Sequence, residues 1–248
     1  MICANSILRR MGLGGPLWRL GLVSLLCLTA CNSNGLTRSR ASEVITASEE
    51  FQRPVSITLL PEYRQSLTLI GTGSQTTPKT EFALGRFLES RPELAVLRHL
   101  RLIEISVKNI EYPDSASSPV TVATSLTSEG QTAARKWQRS GNGWIIPSAR
   151  RELIEVTGVA RGEGGSKQAR VEYTWRWQPT DIGDNFDTSS QSHRSLPASI
   201  RESFEGTNFA GALRDLGQVV LFDSSRTQKT TATLQLYDDG WRVARTGT

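Results

Sequence analysis

Residues 168–178 alternate so cleanly that they dictate a half-buried strand. Ala169, Val171, Tyr173, Trp175 and Trp177 fall on one side, and Arg170, Glu172, Thr174, Arg176 and Gln178 on the other. A period of two sends successive side chains to opposite faces of a sheet, so one face is apolar and the other wet. Leu153 to Ala160 is apolar and β-branched enough to be the partner strand, and the segment Arg161-Gly162-Glu163-Gly164-Gly165-Ser166 supplies a flexible turn. The whole reads as an antiparallel hairpin over 152–178. Its glycines are not a phosphate cradle, because a strand follows them rather than a helix N-terminus.

A second hairpin is expected near the end. Ala232, Leu234 and Leu236 alternate into Tyr237, Asp238-Asp239-Gly240 makes the turn, and Trp241-Arg242-Val243 returns. Asp-Gly between alternating runs is a strong hairpin signal. Helices are expected earlier. Ser42 reads as the N-cap of one that runs to about Phe51 and is stopped by Pro54. Another spans about Thr80 to Glu89, and Pro92 opens a third. Val55–Leu59 and Leu102–Val107 read as strands, Gly71 to Pro78 as a turn, and Ser128 to Arg139 as a helix. Residues 179–198 read as loop, followed by helices over 198–204 and 209–216. No segment repeats at a fixed period, which argues against a solenoid or propeller. The expected fold is α+β: one globular domain over 41–248, with an antiparallel sheet holding both hairpins packed against the helices of 42–100.

The first thirty residues have a different character. Arg9, Arg10 and Arg19 are followed by the apolar run Leu20 to Leu28, and then by Thr29, Ala30 and Cys31. A charged start, a short apolar run and small residues describe a secretory leader. The run is shorter than the roughly 20 residues a spanning helix needs. Leu28-Thr29-Ala30-Cys31 resembles the lipobox of bacterial lipoproteins. The resemblance implies a diacylglyceryl thioether on Cys31, cleavage before it, and acylation of the new amine with palmitate-type chains. It also implies the domain plan: a signal peptide over 1–30, a lipidated flexible tether over 31–40, and then the globular domain. Asn32 after the cysteine implies, by resemblance to enterobacterial lipoproteins, the periplasmic face of the outer membrane in a Gram-negative host.

Loss of such a leader changes what composition says. The full chain carries 29 Lys+Arg against 24 Asp+Glu. Residues 1–30 hold three arginines and no acid, so removing them leaves 26 against 24. That near balance gives no electrostatic footprint for nucleic acid. Cys3 and Cys27 leave with the leader and Cys31 is capped, so no internal disulfide, thiolate metal site or cysteine nucleophile is expected.

Chemical motifs are sparse. There is no His-Glu-x-x-His, P-loop or calcium loop, and Gly71-Thr72-Gly73-Ser74 lacks the third glycine of a dinucleotide fingerprint. No metal, cofactor or catalytic residue is therefore assigned. The aromatic face of Tyr173, Trp175 and Trp177 reads first as core, since tryptophan supplies large packing area; its functional alternative, and the candidate binding surface, is a partly open groove for sugar, lipid or peptide. The expectation is a membrane-anchored envelope lipoprotein carrying a non-catalytic binding or accessory module. Its partners are membrane lipid through Cys31 and an envelope protein or small-molecule ligand. Two alternatives stand beside it. One is a hydrolase using His193 with Ser192 or Ser195 and an orienting Asp181 or Asp184. The other is a structural partner in an envelope assembly.

Overall fold

The computed structural model describes residues 35–69, 79–162, 167–205 and 221–247. The chain from Leu36 onward forms one compact unit. Two short helices open it, α1 (Arg38–Ala47) and α2 (Glu49–Gln52). Thr37 caps α1 by accepting the Arg40 N–H at 3.1 Å. Ser48 ends α1 and caps α2, accepting the Phe51 N–H at 3.3 Å. The helix expected from Ser42 to Phe51 thus starts earlier and is broken in two. Thr37 is as good a cap as Ser42, and Leu36 just before it is buried, which fixes the chain there. Leu36 to Arg40 therefore belong to the domain, and the expected tether over 31–40 is shorter at this end.

Strand β1 (Val55–Leu59) turns directly into β2 (Glu62–Thr68), which the sequence reading did not anticipate. Helices α3 (Lys79–Ser90) and α4 (Pro92–His99) follow. Next come β3 (Ile103–Ile110), β4 (Ser117–Leu126) and α5 (Ser128–Ala133). A 3-10 turn over Ala134–Lys136 ends α5, and the chain becomes extended as β5 (Gln138–Ser140) rather than continuing as helix to Arg139. The long β6 (Gly143–Arg161) pairs with β7 (Gln168–Pro179), as expected for that hairpin. Between them and the last hairpin lie a 3-10 turn (Gly183–Asn185), α6 (Gln191–Arg194) and α7 (Ala198–Glu205). The final hairpin is β8 (Gln228–Tyr237) and β9 (Gly240–Gly247). The expected turn at Gly71–Pro78, the tip of the glycine-rich turn and the helix over 209–216 lie outside the described residues.

The architecture is α+β and antiparallel, but built on two sheets rather than one. The larger runs β1-β6-β7-β8-β9 with β5 also on β6, and the smaller runs β2-β4-β3. β6 serves three partners: residues 143–145 pair with β5, residues 144–149 with β1, and residues 149–161 with β7. Bulges between Leu153 and Glu155 and between Val156 and Gly158 interrupt the β6–β7 register. Bulges bend a strand and increase its twist. The sheet curls, and α1 packs against both β6 and β9.

Two cores result. Leu36 just before α1, with Ala41, Ile45 and Phe51 of the helices, fills the curled sheet against Val156, Val171, Tyr173, Trp175 and Leu234. Phe87, Leu94 and Leu97 of α3 and α4 pack on Ile103, Val120 and Val122 of the small sheet, together with Ile57, Ile146 and Phe186. The helices of 38–100 are thus divided between the two cores.

Candidate functional site

The aromatic strand face is closed. Tyr173 is 4% exposed and Trp175 7% exposed, and Trp177 is half-buried. Phe51 of α2 meets the Tyr173 ring at 6.3 Å, and Trp175 and Trp177 meet edge to face at 4.8 Å. The Trp175 indole N–H donates to Thr230 Oγ1 at 2.8 Å, so its polar handle is satisfied inside the protein. Arg151 stretches over both indoles, 5.1 Å and 5.7 Å from their rings, and donates to the Glu50 carbonyl at 2.5 Å. The face at Tyr173, Trp175 and Trp177 is thus packed core, the first of its two sequence readings, and the alternative of a partly open groove there is corrected, because α1 and α2 cover the sheet.

A different tryptophan borders open space. Trp137 follows the 3-10 turn at the end of α5, where the backbone goes extended. It lines a groove of about 840 Å³ with an apolar floor of Leu100, Leu102, Ala133, Pro147 and Ile182. That volume lies in the range of small-molecule pockets, which are mostly apolar with a few polar groups at the edge. The rim here carries Glu129, Lys136, Arg150 and Asp181. Trp137 is held from behind by Trp144, edge to face at 6.2 Å, and Arg139 lies over the Trp144 ring at 4.2 Å.

Two glycines set the walls. A Cβ on Gly130 of α5 would stand 1.8 Å from the Leu102 carbonyl oxygen. A Cβ on Gly183 would stand 1.7 Å from the Ser148 carbonyl oxygen. Only glycine lets the backbone approach so closely. The first contact seats α5 on the α4–β3 turn, and the second seats the 180–185 segment on β6. The α4–β3 turn is itself unusual, since Arg101 has φ +57, a left-handed conformation uncommon for a side chain of that size. Its carbonyl accepts the Thr127 hydroxyl at 2.5 Å, while Thr127 also caps α5 by accepting the Gly130 N–H at 3.0 Å. On the other wall, the Thr180 hydroxyl donates to the Pro147 carbonyl at 3.0 Å and accepts the Gly183 N–H at 3.1 Å.

One rim carboxyl, that of Glu129, is favoured in its charged form. Its own backbone N–H, and then the Ser128 hydroxyl at 2.9 Å, hold the Glu129 carboxyl below the usual range. Among the described residues, Lys136 and Arg150 form no salt bridge with a carboxylate. The groove thus combines an apolar floor with polar groups of both signs at its mouth. Sequence reading placed Trp137 inside a helix and missed the groove. Gly130 within a helical pattern was the available sign of close backbone approach.

His193 sits in α6, where its Nδ1 lies 2.9 Å from the Asn185 carbonyl oxygen and its ring 6.3 Å from Phe204. The neighbouring hydroxyls serve the backbone: Ser190 caps α6, and Ser195 donates to the Ser192 carbonyl at 2.8 Å. Among the described residues, no hydrogen bond joins the imidazole to a serine hydroxyl or to Asp181 or Asp184. No group of three or more metal-binding side chains occurs among the described residues. No helix among them is long and apolar enough to cross a membrane. Cys31 lies outside the described residues. Comparison with family models, with curated proteins and with solved structures finds no match to this chain.

Proposed function

We propose that the chain is a membrane-anchored, extracytoplasmic bacterial lipoprotein whose domain is a non-catalytic binding module. Cys31 is the lipidated residue, and the groove beside Trp137 receives a small amphiphilic ligand. The anchor reading rests on Leu28-Thr29-Ala30-Cys31 and the charged, apolar leader before it. The ligand reading rests on one observation: an 840 Å³ groove leaves apolar core side chains open to solvent, between walls seated by Gly130 and Gly183. The apolar floor accepts an acyl, aryl or terpenoid body, and the charged rim orients a polar end. The outer membrane is the expected location in a Gram-negative host, from Asn32.

Two experiments test these readings separately. Intact mass of the purified chain reports acylation of Cys31, and Cys31→Ser abolishes the mass increment and membrane retention. For the groove, a fluorescent amphiphile such as anilinonaphthalene sulfonate is titrated against the wild type and Ala133→Trp. The added indole fills the groove from its floor, and probe affinity drops roughly tenfold, as expected when about 1.4 kcal/mol of contact is lost. Equal affinity in a folded Ala133→Trp variant sinks the ligand reading and leaves the anchor untouched.

A further inference from the structure

Leu36 is buried, and it stands five positions after Cys31. Five residues reach at most about 18 Å when fully extended. A lipid on Cys31 therefore holds the Leu36 end of the domain close to the bilayer. Three contacts identify that end. The Leu36 carbonyl accepts from Arg161 Nη2 at 3.0 Å, at the end of β6. The Lys167 carbonyl, just before β7, accepts the Leu236 N–H at 2.7 Å, near the end of β8. The Arg40 guanidinium lies 3.9 Å from where a side chain on Gly240 would begin, at the β8–β9 turn. The start of α1 and the turn ends of both hairpins are thus gathered together.

This end has the chemistry of a bilayer interface. Tyr237 is 50% exposed, among the few large apolar side chains so open in the described residues. Aromatic rings with a polar tip favour the headgroup level, and cations favour the anionic lipid surface. Arg40 and Arg242 are paired with Glu43 and Asp239. Arg38, Arg161 and Lys167 are exposed and form no salt bridge among the described residues. Against these three cations stand two acids, Asp238 on the β8–β9 turn and Glu163, which lies in sequence between Arg161 and Lys167. The excess at this end is positive.

We propose that this end of the domain rests on the bilayer, with Tyr237 at headgroup level and Arg38, Arg161 and Lys167 against lipid phosphates. The inference rests on lipidation of Cys31. It adds an orientation: the domain lies on the membrane as a peripheral contact instead of swinging free on its anchor.

The test uses the full lipidated chain in vesicles of phosphatidylcholine and phosphatidylglycerol. Once the leader is removed and Cys31 is acylated, no other thiol remains, so Tyr237→Cys gives a single site for a fluorescent label. Tyr112→Cys, on the exposed β3–β4 loop of the small sheet, is the control. A headgroup-linked quencher quenches the label at 237 several-fold more than the label at 112. Lys167→Glu with Arg38→Glu lowers that quenching by roughly twofold, because anionic headgroups then repel the surface. A label at Lys167 gives the same reading if the Tyr237 variant does not fold. Equal quenching at 237 and 112 on a chain whose mass shows acylated Cys31 overturns the docking and spares the anchor. A mass showing Cys31 bare overturns both.

Discussion

The Asp187 carboxylate grips Ser224 twice. It accepts the Ser224 N–H at 3.1 Å on one oxygen and the Ser224 hydroxyl on the other. Ser189 adds its N–H at 3.0 Å and its hydroxyl at 2.7 Å. Asp187 is only 2% exposed, and its backbone bridges to Phe222. Burial pushes its carboxyl up, but the hydrogen bonds from Ser224 and Ser189 outweigh that and hold it below the usual carboxylate range. The arrangement staples the 186–190 segment, beside the groove wall at Ile182, to residues 222–224.

Asp187→Ala strands several buried donors, and a loss of about 2–4 kcal/mol is expected in urea denaturation. The pH dependence follows from the lowered pKa. The contribution of Asp187 is present above the unfolded value of about 3.9 and is lost as pH falls through the folded value. The variant should therefore have a flatter acid limb than the wild type. An equally steep limb in both would show that the carboxylate is not ionised in the folded protein.

Glu93 titrates in the opposite sense. It is 2% exposed, pairs with Arg91 at 2.5 Å, and its Oε2 has no hydrogen-bond partner among the described residues. Burial pushes its carboxyl up, and Arg91 offsets only part of that. Stability from this group is complete below the unfolded pKa and declines as pH rises through the folded one. Glu93→Gln should gain on the wild type as pH rises above the unfolded value of about 4.3, by on the order of 1 kcal/mol for the unpartnered buried oxygen. Arg91 is not stranded in the variant, because its guanidinium also lies 4.8 Å over the Tyr63 ring. A gap that narrows with rising pH would contradict the assignment.

Gly130 and Gly85 should respond to alanine with opposite signs. Both lie in helices, and alanine is the better helix former by about 1 kcal/mol. A Cβ on Gly85 meets nothing within 4 Å, whereas one on Gly130 meets the Leu102 carbonyl at 1.8 Å. Gly85→Ala is expected to raise the thermal midpoint. Gly130→Ala is expected to lose about 1–3 kcal/mol from the forced shift of α5 and to weaken amphiphile binding in the groove. Calorimetry of the two variants side by side is the check.

Arg151 binds α2 to the sheet, through the Glu50 carbonyl and the indoles of Trp175 and Trp177. Arg151→Met keeps the aliphatic stem and removes the charge. A loss of about 1–3 kcal/mol is expected, together with faster amide exchange in α1 and α2. Unchanged exchange there would mean that α2 is held by Phe51 alone.

Legibility differed by element. The β6–β7 hairpin was readable because alternation encodes a strand locally, and Tyr173 to Gln178 needed no partner to reveal it. β2 was not readable: Glu62–Thr68 buries only Tyr63 and Leu67 on its core face, and its other apolar signal is diluted by Arg64, Gln65 and Ser66. The break at Ser48 was missed because Ser42, Ser48 and Thr37 are equivalent caps until a neighbour such as the buried Leu36 chooses among them. Trp137 showed nothing in sequence, since its groove is built from segments as distant as Leu100 and Ile182.

By itself the sequence determined local quantities: which stretches alternate, where the β8–β9 hairpin turns, that the fold is α+β and antiparallel, and where a lipobox-like cysteine stands. The tertiary structure decided everything that depends on what covers a face. A stripe of aromatic residues is the same stripe whether helices lie on it or water does. The docking of α1 and α2 turned the Tyr173–Trp175 face into core, and the close approaches at Gly130 and Gly183 left the space beside Trp137 open.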